Sequence, residues 1–404
     1  MNDAIAITGM GVVSSIGTTV EAFTKNIKEN HSGLTHLNRF NTSPFNISHS
    51  FEIPNFKLEG KKSQELLRIN KNAQYTIAAA RDALRQSGYP IEVNPYEVGL
   101  VISSSFLDFA LVTKYLTDVL KSHLKDYRPL QFPNTVPNAV SAHTAIELKI
   151  KGPNVTVINK HNGAFSAIEY GINMLHTGQA KMVLVGGVDL FSYEAFLYFQ
   201  QLGRIAGIKG PEIHIPFSKE RNGFIMGEGC GVVALEKTED ARKREASIIA
   251  EIRSTSSIYF PCPITEYLSS DMPGTELIYN RLLSKANLTK EEVNAFFSCA
   301  NSSVDIDAWE DEAIFSYFGK DLPVAAFSSF IGEASDASML HLIAACVCLK
   351  DNFLFPVLGY SGNPEMRSHI LQKNKNFDIL KNVIISRLGL GGSYSVFLLS
   401  RPKI

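Results

Sequence analysis

The pattern of hydrophobic and polar positions is clearest in the segment that spans residues 155–189. A β-branched apolar run at residues 155–158 enters a polar turn at residues 159–163. The helix that follows places apolar residues on one face at Phe165, Ile168, Ile172 and Leu175. Gly178 stands where a glycine ends a helix, and residues 182–185 begin a second buried strand. The segment is predicted to be a strand–turn–helix–strand unit.

The turn of this unit has a form that many enzymes use to present a nucleophile. Such a turn places the nucleophile at the positive end of the following helix, where a thiolate or alkoxide is stabilised. Here the turn offers His161, and residues 159–163 contain neither cysteine nor serine. The predicted architecture is that of a nucleophile turn without its nucleophile.

Strands and helices alternate in the rest of the N-terminal part. Residues 4–13 are predicted to form a buried strand that enters a tight turn at residues 9–11. Gly9 and Gly11 are not interpreted as a dinucleotide-binding loop, because that motif needs a third glycine that is absent here. Loops are predicted at residues 31–62 and 129–137. Further helices are predicted at residues 19–28, 73–86, 106–121, 139–148 and 238–245, and further strands at 98–103, 231–235 and 248–252.

The predicted helix at residues 106–121 has an apolar stripe at Phe109, Val112 and Leu116, spaced i, i+3 and i+7. From the pattern alone this stripe is interpreted as a face that packs on the core.

The C-terminal part repeats this order of elements. The predicted helices are 275–286, one that runs through residues 309–318, and 339–349, and the predicted strands are 295–298, 324–327, 383–387 and 395–400. Residues 328–338 are predicted to be a turn, and the glycine-rich residues 389–392 a hairpin turn. No Ser/Gly linker separates the two parts, so residues 1–246 and 247–404 are predicted to be two fused halves.

Composition and charge exclude several functional classes. With 45% apolar and 20% charged residues and a net charge of −1, the chain resembles an ordinary globular protein and shows no electrostatic sign of nucleic-acid or membrane binding. The five cysteines lack CxxC spacing and the ten histidines include no HExxH pair, so neither disulfides nor a metal site are expected. The N-terminus lacks a basic leader, and the apolar window 339–349 is too short to cross a bilayer. A reducing cytoplasm is the expected location.

Four motifs in the right order resemble the β-ketoacyl synthases of the thiolase fold. They are residues 7–13, the pair Gly186 and Gly187, the loop at residues 216–229, and the terminal loop at residues 389–392. The resemblance covers almost the whole chain. It implies an α/β fold of two fused similar halves in α-β-α-β-α layers, and acyltransferase chemistry on acyl carrier protein without a cofactor.

In that family an elbow cysteine takes the acyl group, two histidines assist decarboxylation and stabilise the developing anions, and a lysine supports the site. Matching the elbow by its helix and Gly178 puts His161 at the cysteine position. Matching the segment from residue 293 by its acidic residues Asp307 and Glu310 puts Cys299 at the first histidine.

Matching the pair Gly332 and Glu333 to the family's Gly-His pair puts Glu333 at the second histidine and Ser328 at the lysine. All four implied catalytic positions have therefore changed type. An imidazole cannot form the thioester, and the Glu333 carboxylate would stand where an enolate must develop. Condensation by this chain alone is not expected.

The pattern resembles the chain length factor, the non-catalytic partner of a type II polyketide ketosynthase. It implies a heterodimer with a catalytic ketosynthase, formed across the strand at residues 155–160, which works on chains bound to acyl carrier protein. It also implies that Phe109, Val112 and Leu116 line the tunnel into which the chain grows, where their bulk would set its depth. Chain length factors often have glutamine at the elbow, whereas this chain has His161.

Two other functions stay open. The first is a condensing or decarboxylating enzyme that uses His161 as a general base. The second is a homodimeric protein that holds acyl chains. The sequence also leaves open whether the product of the main hypothesis is an aromatic polyketide or a polyene.

Overall fold

The computed structural model describes residues 4–41, 45, 47–61, 66, 68–106, 108–123, 125, 129, 131–268 and 274–402. Residues 42–44, 46 and 62 of the first predicted loop, residue 130 of the second and residue 107 of the predicted helix 106–121 lie outside the described residues.

Strands and helices alternate along the chain. The described strands are β1 (Ile5–Ser14), β2 (Thr35–His36), β3 (His49–Ser50), β4 (Val98–Ser103), β5 (Asn154–Val157), β6 (Met182–Asp189), β7 (Gly229–Lys237), β8 (Ala250–Tyr259), β9 (Ala295–Ser298), β10 (Pro323–Ala326), β11 (Phe353–Leu354), β12 (His369–Ile370), β13 (Lys375–Asn376), β14 (Asn382–Gly389) and β15 (Ser393–Ser400). The described α-helices are α1 (Val20–Lys28), α2 (Lys71–Ser87), α3 (Phe109–Lys121), α4 (Ala139–Leu148), α5 (Gly163–His176), α6 (Tyr193–Gln201), α7 (Thr238–Lys243), α8 (Thr275–Ala286), α9 (Val304–Phe318), α10 (Ser328–Ile331) and α11 (Met339–Asp351).

Eleven strands form one mixed sheet in the order β12-β10-β9-β14-β15-β8-β1-β7-β6-β4-β5. The antiparallel pair β1 and β8 joins its two arms. Outward from this pair, each arm has two antiparallel pairings followed by parallel ones, two in the N-terminal arm and three in the C-terminal arm. The two arms therefore repeat the same topology, which confirms the predicted α/β fold of two similar halves. The predicted boundary between residues 246 and 247 lies between α7 and β8 and stays a prediction.

Helices α5 and α11 form the middle of the molecule. One apolar cluster contains both helices together with residues from strands of each arm. A second cluster joins α2 and α4 to the opposite face of the N-terminal arm, and a third joins α8 and α9 to the opposite face of the C-terminal arm. The layers are therefore α-β-α-β-α. Residues 339–349 of α11 are all buried, which is why this helix is apolar on every side.

Most predicted elements are found within a few residues of their expected bounds, but the predicted tight turn at residues 9–11 is wrong. Gly9 and Gly11 lie inside the continuous strand β1. A Cβ atom at Gly9 would lie 2.0 Å from the carbonyl oxygen of Ala83, and one at Gly11 would lie 1.8 Å from that of Ala79. The glycines therefore allow helix α2 to pack directly on the backbone of β1.

We expect Gly11→Ala to lower the free energy of unfolding by about 1–3 kcal/mol, because the added methyl group must push α2 away from the sheet. The matched control is Gly99→Ala in strand β4, where the nearest atoms to a new Cβ lie at 3.4 Å. Its cost should stay within about 1 kcal/mol. Denaturation in urea measures both values, and equal losses for the two variants would contradict this account of the packing.

Three other segments differ from expectation. Helix α6 was not predicted, and the predicted turn at residues 328–338 contains the short helix α10 and a 3-10 turn. Helix α3 begins at Phe109 because the carboxylate of Asp108 accepts a hydrogen bond from the amide of Leu111, at 3.0 Å.

Within the described residues, no helix combines the length and the apolar character that a membrane span requires.

Candidate functional site

The turn between β5 and α5 holds His161 in a strained backbone conformation. Its φ is +57°, a left-handed value that residues other than glycine rarely adopt, and its side chain is fully buried. The first residue of α5 is tightly enclosed, because a Cβ atom at Gly163 would lie 2.1 Å from the hydroxyl oxygen of Ser103. The turn is therefore the sharp elbow that the sequence predicts.

Aromatic side chains enclose the imidazole of His161. The ring centroids of Phe106, Phe199 and Tyr267 lie at 5.8, 5.4 and 5.4 Å from that of His161. The Tyr267 hydroxyl lies 3.3 Å from Nε2, and Nδ1 has no hydrogen-bond partner among the described residues. Burial lowers the pKa of His161 to about 3, so the imidazole is neutral near pH 7.

A buried ion pair lies next to this turn. The guanidinium of Arg387 donates through Nε to the carbonyl oxygen of His161 at 2.6 Å, and through a terminal nitrogen to Glu333. Each side chain of the pair is only 3% exposed, and Asn301 donates a further hydrogen bond to Glu333 at 2.8 Å. Burial by itself would raise the pKa of Glu333, but the charge of Arg387 and these hydrogen bonds lower it to about 2. Glu333 is therefore an anion.

Cys299 lies in a second buried polar cluster. Its thiol donates to a carboxylate oxygen of Glu310 at 2.6 Å, and its amide donates to the same oxygen at 2.9 Å. Burial and the neighbouring carboxylate raise the pKa of the Cys299 thiol well above its usual range. A protonated, hydrogen-bonded thiol is a poor nucleophile.

Ser328 is also buried and fully bonded. Its hydroxyl donates to the carbonyl oxygen of Ala300 at 2.6 Å, directly after Cys299 in the chain. Its own carbonyl oxygen accepts from Nε2 of His214 at 2.9 Å, while Nδ1 of His214 accepts from the amide of Ile225. The four positions singled out in the sequence therefore lie in one continuous buried region, linked through Arg387, Asn301 and Ala300.

Two carboxylates that the sequence did not single out occupy the positive end of α5. Asp336 accepts hydrogen bonds from the amide of Gly163 at 2.9 Å and from the hydroxyls of Ser103 and Ser105 at 2.6 and 2.7 Å. Its amide in turn donates to Asp189 at 3.0 Å. Burial raises the pKa of both carboxyl groups, and the proximity of Asp336 adds to the rise for Asp189. The N-terminal end of α5, which could stabilise a developing anion, is thus already bonded to the carboxyl group of Asp336.

Arg387 is a further residue of this site that the sequence analysis did not identify, although the sequence contains a signal for it. This residue is the one charge in an otherwise apolar and neutral strand, β14. A charge in such a strand is rarely buried unless it has a partner, so it points to a buried ion pair.

A surface cleft approaches His161 but does not reach it. The cleft has a volume of about 560 Å³ and is lined in part by Arg204, Lys209 and Asp305. Arg204 donates to Asp305 at 2.6 Å, and its guanidinium lies 5.3 Å from the ring centroid of Tyr267. Tyr267 is only 1% exposed, and its hydroxyl contacts His161. The tyrosine therefore separates the cleft from the elbow.

We expect a cysteine introduced by His161→Cys to react with iodoacetamide roughly a hundredfold more slowly than a surface cysteine, because the reagent must wait for local opening. The measurement needs a Cys262→Ser background, since Cys262 is partly exposed and the other four cysteines are buried. Adding Tyr267→Ala should open the path and accelerate the reaction. Rapid labelling of the single variant would contradict the enclosure of the elbow.

The predicted tunnel residues lie along helix α3. The ring of Phe109 lies 6.0 Å from that of Phe106, which in turn contacts His161. Val112 is half-buried, and Leu116 is 53% exposed. The buried residue of the helix is Tyr115. The stripe is therefore only partly covered in the single chain, because Phe109 packs against the core whereas Leu116 is exposed.

Strand β5 forms one end of the large sheet, and no other described strand pairs with its outer side. Helix α4 packs beside it, with the hydroxyls of Ser141 and Thr156 at 2.9 Å. Large apolar residues are exposed on α3, on the segment after it, on α4 and directly after β5: Leu116, Leu120, Phe132, Ile146 and Ile158. An open strand edge with exposed apolar neighbours is typical of a protein interface.

Comparisons with known proteins assign the chain to one family. A model described as the N-terminal domain of β-ketoacyl synthases matches residues 2–241, more than half of the chain. The 3-oxoacyl-[acyl-carrier-protein] synthase 2 of Staphylococcus aureus (strain COL) is 26% identical over 418 residues, which cover 99% of both proteins. The chloroplastic synthase II of Arabidopsis thaliana is 27% identical over 415 residues, which cover 99% of this chain and 76% of that protein.

Solved structures share the fold over the whole chain. The ishigamide ketosynthase/chain length factor has a TM-score of 0.89 and 23% identity, with 100% of both chains covered. A type II polyketide synthase acyl carrier protein in complex with its ketosynthase gives a TM-score of 0.86 and 21% identity, again with 100% of both chains covered. The thiolase-like fold is the same in all of them.

Proposed function

Because this chain belongs to the β-ketoacyl synthase family and yet buries an Arg387–Glu333 ion pair beside its elbow, we propose that it is a chain length factor. In this proposal the chain is the non-catalytic subunit of a heterodimeric ketosynthase. The ion pair is the observation that carries the proposal. A fixed carboxylate at the position of the second catalytic histidine would repel the enolate that condensation must form.

The other groups of the region support the absence of independent condensation. The neutral imidazole of His161 cannot carry an acyl thioester, and the thiol of Cys299 is protonated and bonded to Glu310. Ser328 supplies no positive charge where the family has a lysine. Asp336 already occupies the positive end of α5. We propose that these are degenerate catalytic positions that are kept as a buried polar scaffold.

The surface supports a partner subunit. Strand β5 presents an open edge, and exposed apolar side chains such as Leu116 and Ile158 lie near it. A catalytic ketosynthase that pairs with this edge would cover both features. Two structural neighbours are a ketosynthase/chain length factor and a type II polyketide synthase acyl carrier protein in complex with its ketosynthase. We propose the same kinds of partner for this chain, with the carrier protein delivering the growing chain to the partner's cysteine.

Helix α3 would then form one wall of the tunnel. Phe109 lies nearest to the elbow through its contact with Phe106, Val112 follows, and Leu116 lies farthest out and most exposed. Because packed side chains do not yield by several methylene groups, the bulk at these three positions would limit the length of the product.

One competing function is a condensing or decarboxylating enzyme in its own right. The full-length similarity to curated 3-oxoacyl synthases favours it, as does the unbonded Nδ1 of His161, which is a possible base. A pKa of about 3 makes that imidazole a weak base, and the cleft does not reach it. A homodimeric acyl-binding protein is the other alternative, and it would also cover the β5 edge.

The decisive experiment combines this chain with a candidate catalytic ketosynthase and a carrier protein from the same organism. We expect the two subunits to purify as a 1:1 complex, and the product to form only when both are present. Phe109→Ala should lengthen the product by one extension unit or more, because it deepens the tunnel. Leu277→Ala, which truncates a 45% exposed apolar side chain on α8, is the matched control and should leave the length unchanged.

Two results would refute the proposal. One is an active condensing enzyme obtained from this chain alone. The other is an unchanged product made by the ketosynthase in the absence of this chain. An unchanged product length for substitutions at Phe109, Val112 and Leu116 would refute the tunnel assignment while leaving the heterodimer intact.

A further inference from the structure

A large cleft lies at the end of the C-terminal arm that is remote from the elbow. It has a volume of about 1040 Å³ and is lined by the end of α8, the first residue of β14 and the last residue of β15. Strand β14 runs from Asn382 at this cleft to Gly389, which lies next to the elbow turn at Lys160. Eight residues of strand span roughly 23 Å, so the cleft is separate from the site described above.

Three cations face this cleft, and the charges of two of them are not neutralised by a carboxylate. Arg401 is held by neutral oxygens, the side-chain oxygen of Asn352 and the carbonyl oxygen of Lys350. Lys381 has no ion pair with any described residue, although its backbone is fixed by Asn294 at 2.9 Å. The carboxylate of Glu292 also lines the cleft, but it accepts a hydrogen bond from the amide of Thr289 and caps a turn.

Arg253 is the third cation and the most informative one. Its side chain is only 14% exposed, yet it donates no hydrogen bond to any described residue. The nearest carboxylate oxygen, on Glu251, lies 3.8 Å away, and the other oxygen of Glu251 already accepts from Arg242 at 2.9 Å. The Arg253 side chain lines the cleft, and its nitrogens are not fully buried, so they can donate hydrogen bonds into it. An anionic acceptor in the cleft would gain charge-assisted hydrogen bonds from them.

The rest of the lining mixes polar and apolar side chains. Ala286 and Leu288 at the end of α8 and Ile379 before β14 give part of the cleft a hydrocarbon surface, and Ile379 is 54% exposed. A volume of this size accommodates a ligand of about drug size. A lining that contains three cations as well as aliphatic side chains matches a molecule with an anionic head and a hydrocarbon chain.

We infer that this cleft binds an anionic amphiphile, with its head at Arg253, Lys381 and Arg401 and its chain against Leu288 and Ile379. A free fatty carboxylate and an alkyl or acyl phosphate share this chemistry. The site is distinct from the tunnel along α3, so the inference does not depend on the function proposed above.

Calorimetric titration of the full chain with decanoate and decyl phosphate, both below their micelle concentrations, tests the inference. We expect saturable binding of at least one of them and none of decanol. Tighter binding of decanoate would support a carboxylate head, and tighter binding of decyl phosphate would support a phosphate head. Arg253→Met should weaken binding about tenfold, because it removes charge-assisted hydrogen bonds while keeping the side-chain volume.

Arg85→Met on α2 is the control for a lost arginine charge, since Arg85 is 78% exposed and α2 packs on the N-terminal arm, away from this cleft. It should leave the affinity unchanged. Leu288→Asp gives a second variant that should abolish binding by repelling the head and removing the apolar wall. Unchanged thermal midpoints show that the variants are folded. No saturable binding, equal binding of decanol, or equal losses in Arg253→Met and Arg85→Met would overturn the inference.

Discussion

Glu333→Ala is expected to lower the free energy of unfolding by about 3–5 kcal/mol, because it leaves the guanidinium of Arg387 buried without its counter-charge. Both side chains are 3% exposed, so water cannot replace the lost carboxylate. Equilibrium denaturation in guanidinium chloride measures the loss. The pair Arg367–Glu312 is the matched control, with side chains 50% and 55% exposed, and Glu312→Ala should cost less than about 1 kcal/mol.

The double variant Glu333→Leu with Arg387→Met separates charge from packing. It removes both charges and keeps apolar volume, so we expect it to recover most of the stability that Glu333→Ala loses. If the double variant is no more stable than the single one, the loss comes from packing and not from the unpaired charge. Because the folded-state pKa of Glu333, about 2, lies below the usual 4.5, its stabilising contribution is complete above about pH 4.5 and is lost as the pH falls toward 2.

Restoring the elbow cysteine alone by His161→Cys should not restore condensation. We expect the rate of the variant to stay below about one-thousandth of that of an active family member, because catalytic groups act together and the anion-stabilising groups are still missing. The new thiol would also be buried and near the carboxylate of Glu333, and both conditions disfavour a thiolate. Release of carbon dioxide and formation of 3-oxoacyl product from acyl- and malonyl-carrier protein measure the rate.

The control for this experiment is the quadruple variant that also introduces Cys299→His, Ser328→Lys and Glu333→His. It tests whether the scaffold can still hold the full set of groups once the carboxylate is gone. Efficient condensation by His161→Cys alone would show that the other three positions do not matter, and it would favour the competing enzymatic function.

Much of the fold could be predicted because local patterns are strong where a helix or strand buries one face. The bounds of α2, α4 and β4 follow directly from apolar spacing and from end signals such as Gly88. The tight turn predicted at Gly9 and Gly11 was wrong because glycine is common both in turns and where two backbones pack closely. Only the position of α2 decides between the two, and local sequence does not contain it.

The site was less predictable for a related reason. Its elbow is local and was found, whereas the groups that define its electrostatics come from distant parts of the chain. Asp336 is 173 residues from Gly163, and Arg387 is 226 residues from His161. Leu116 shows the same limit, since periodicity indicates an apolar face of α3 but not whether this chain or a partner covers it.

The middle layer of the molecule, formed by helices α5 and α11, also determines when the protein can complete its fold during synthesis. Strand β1 emerges more than 200 residues before β7 and β8, with which it pairs, and both arms still lack α11 when these strands appear. At about 5–20 residues per second, the ribosome needs tens of seconds to proceed from β1 to residue 339. Until then the nascent chain presents an uncovered apolar sheet face, so neither half is a complete folding unit without the other.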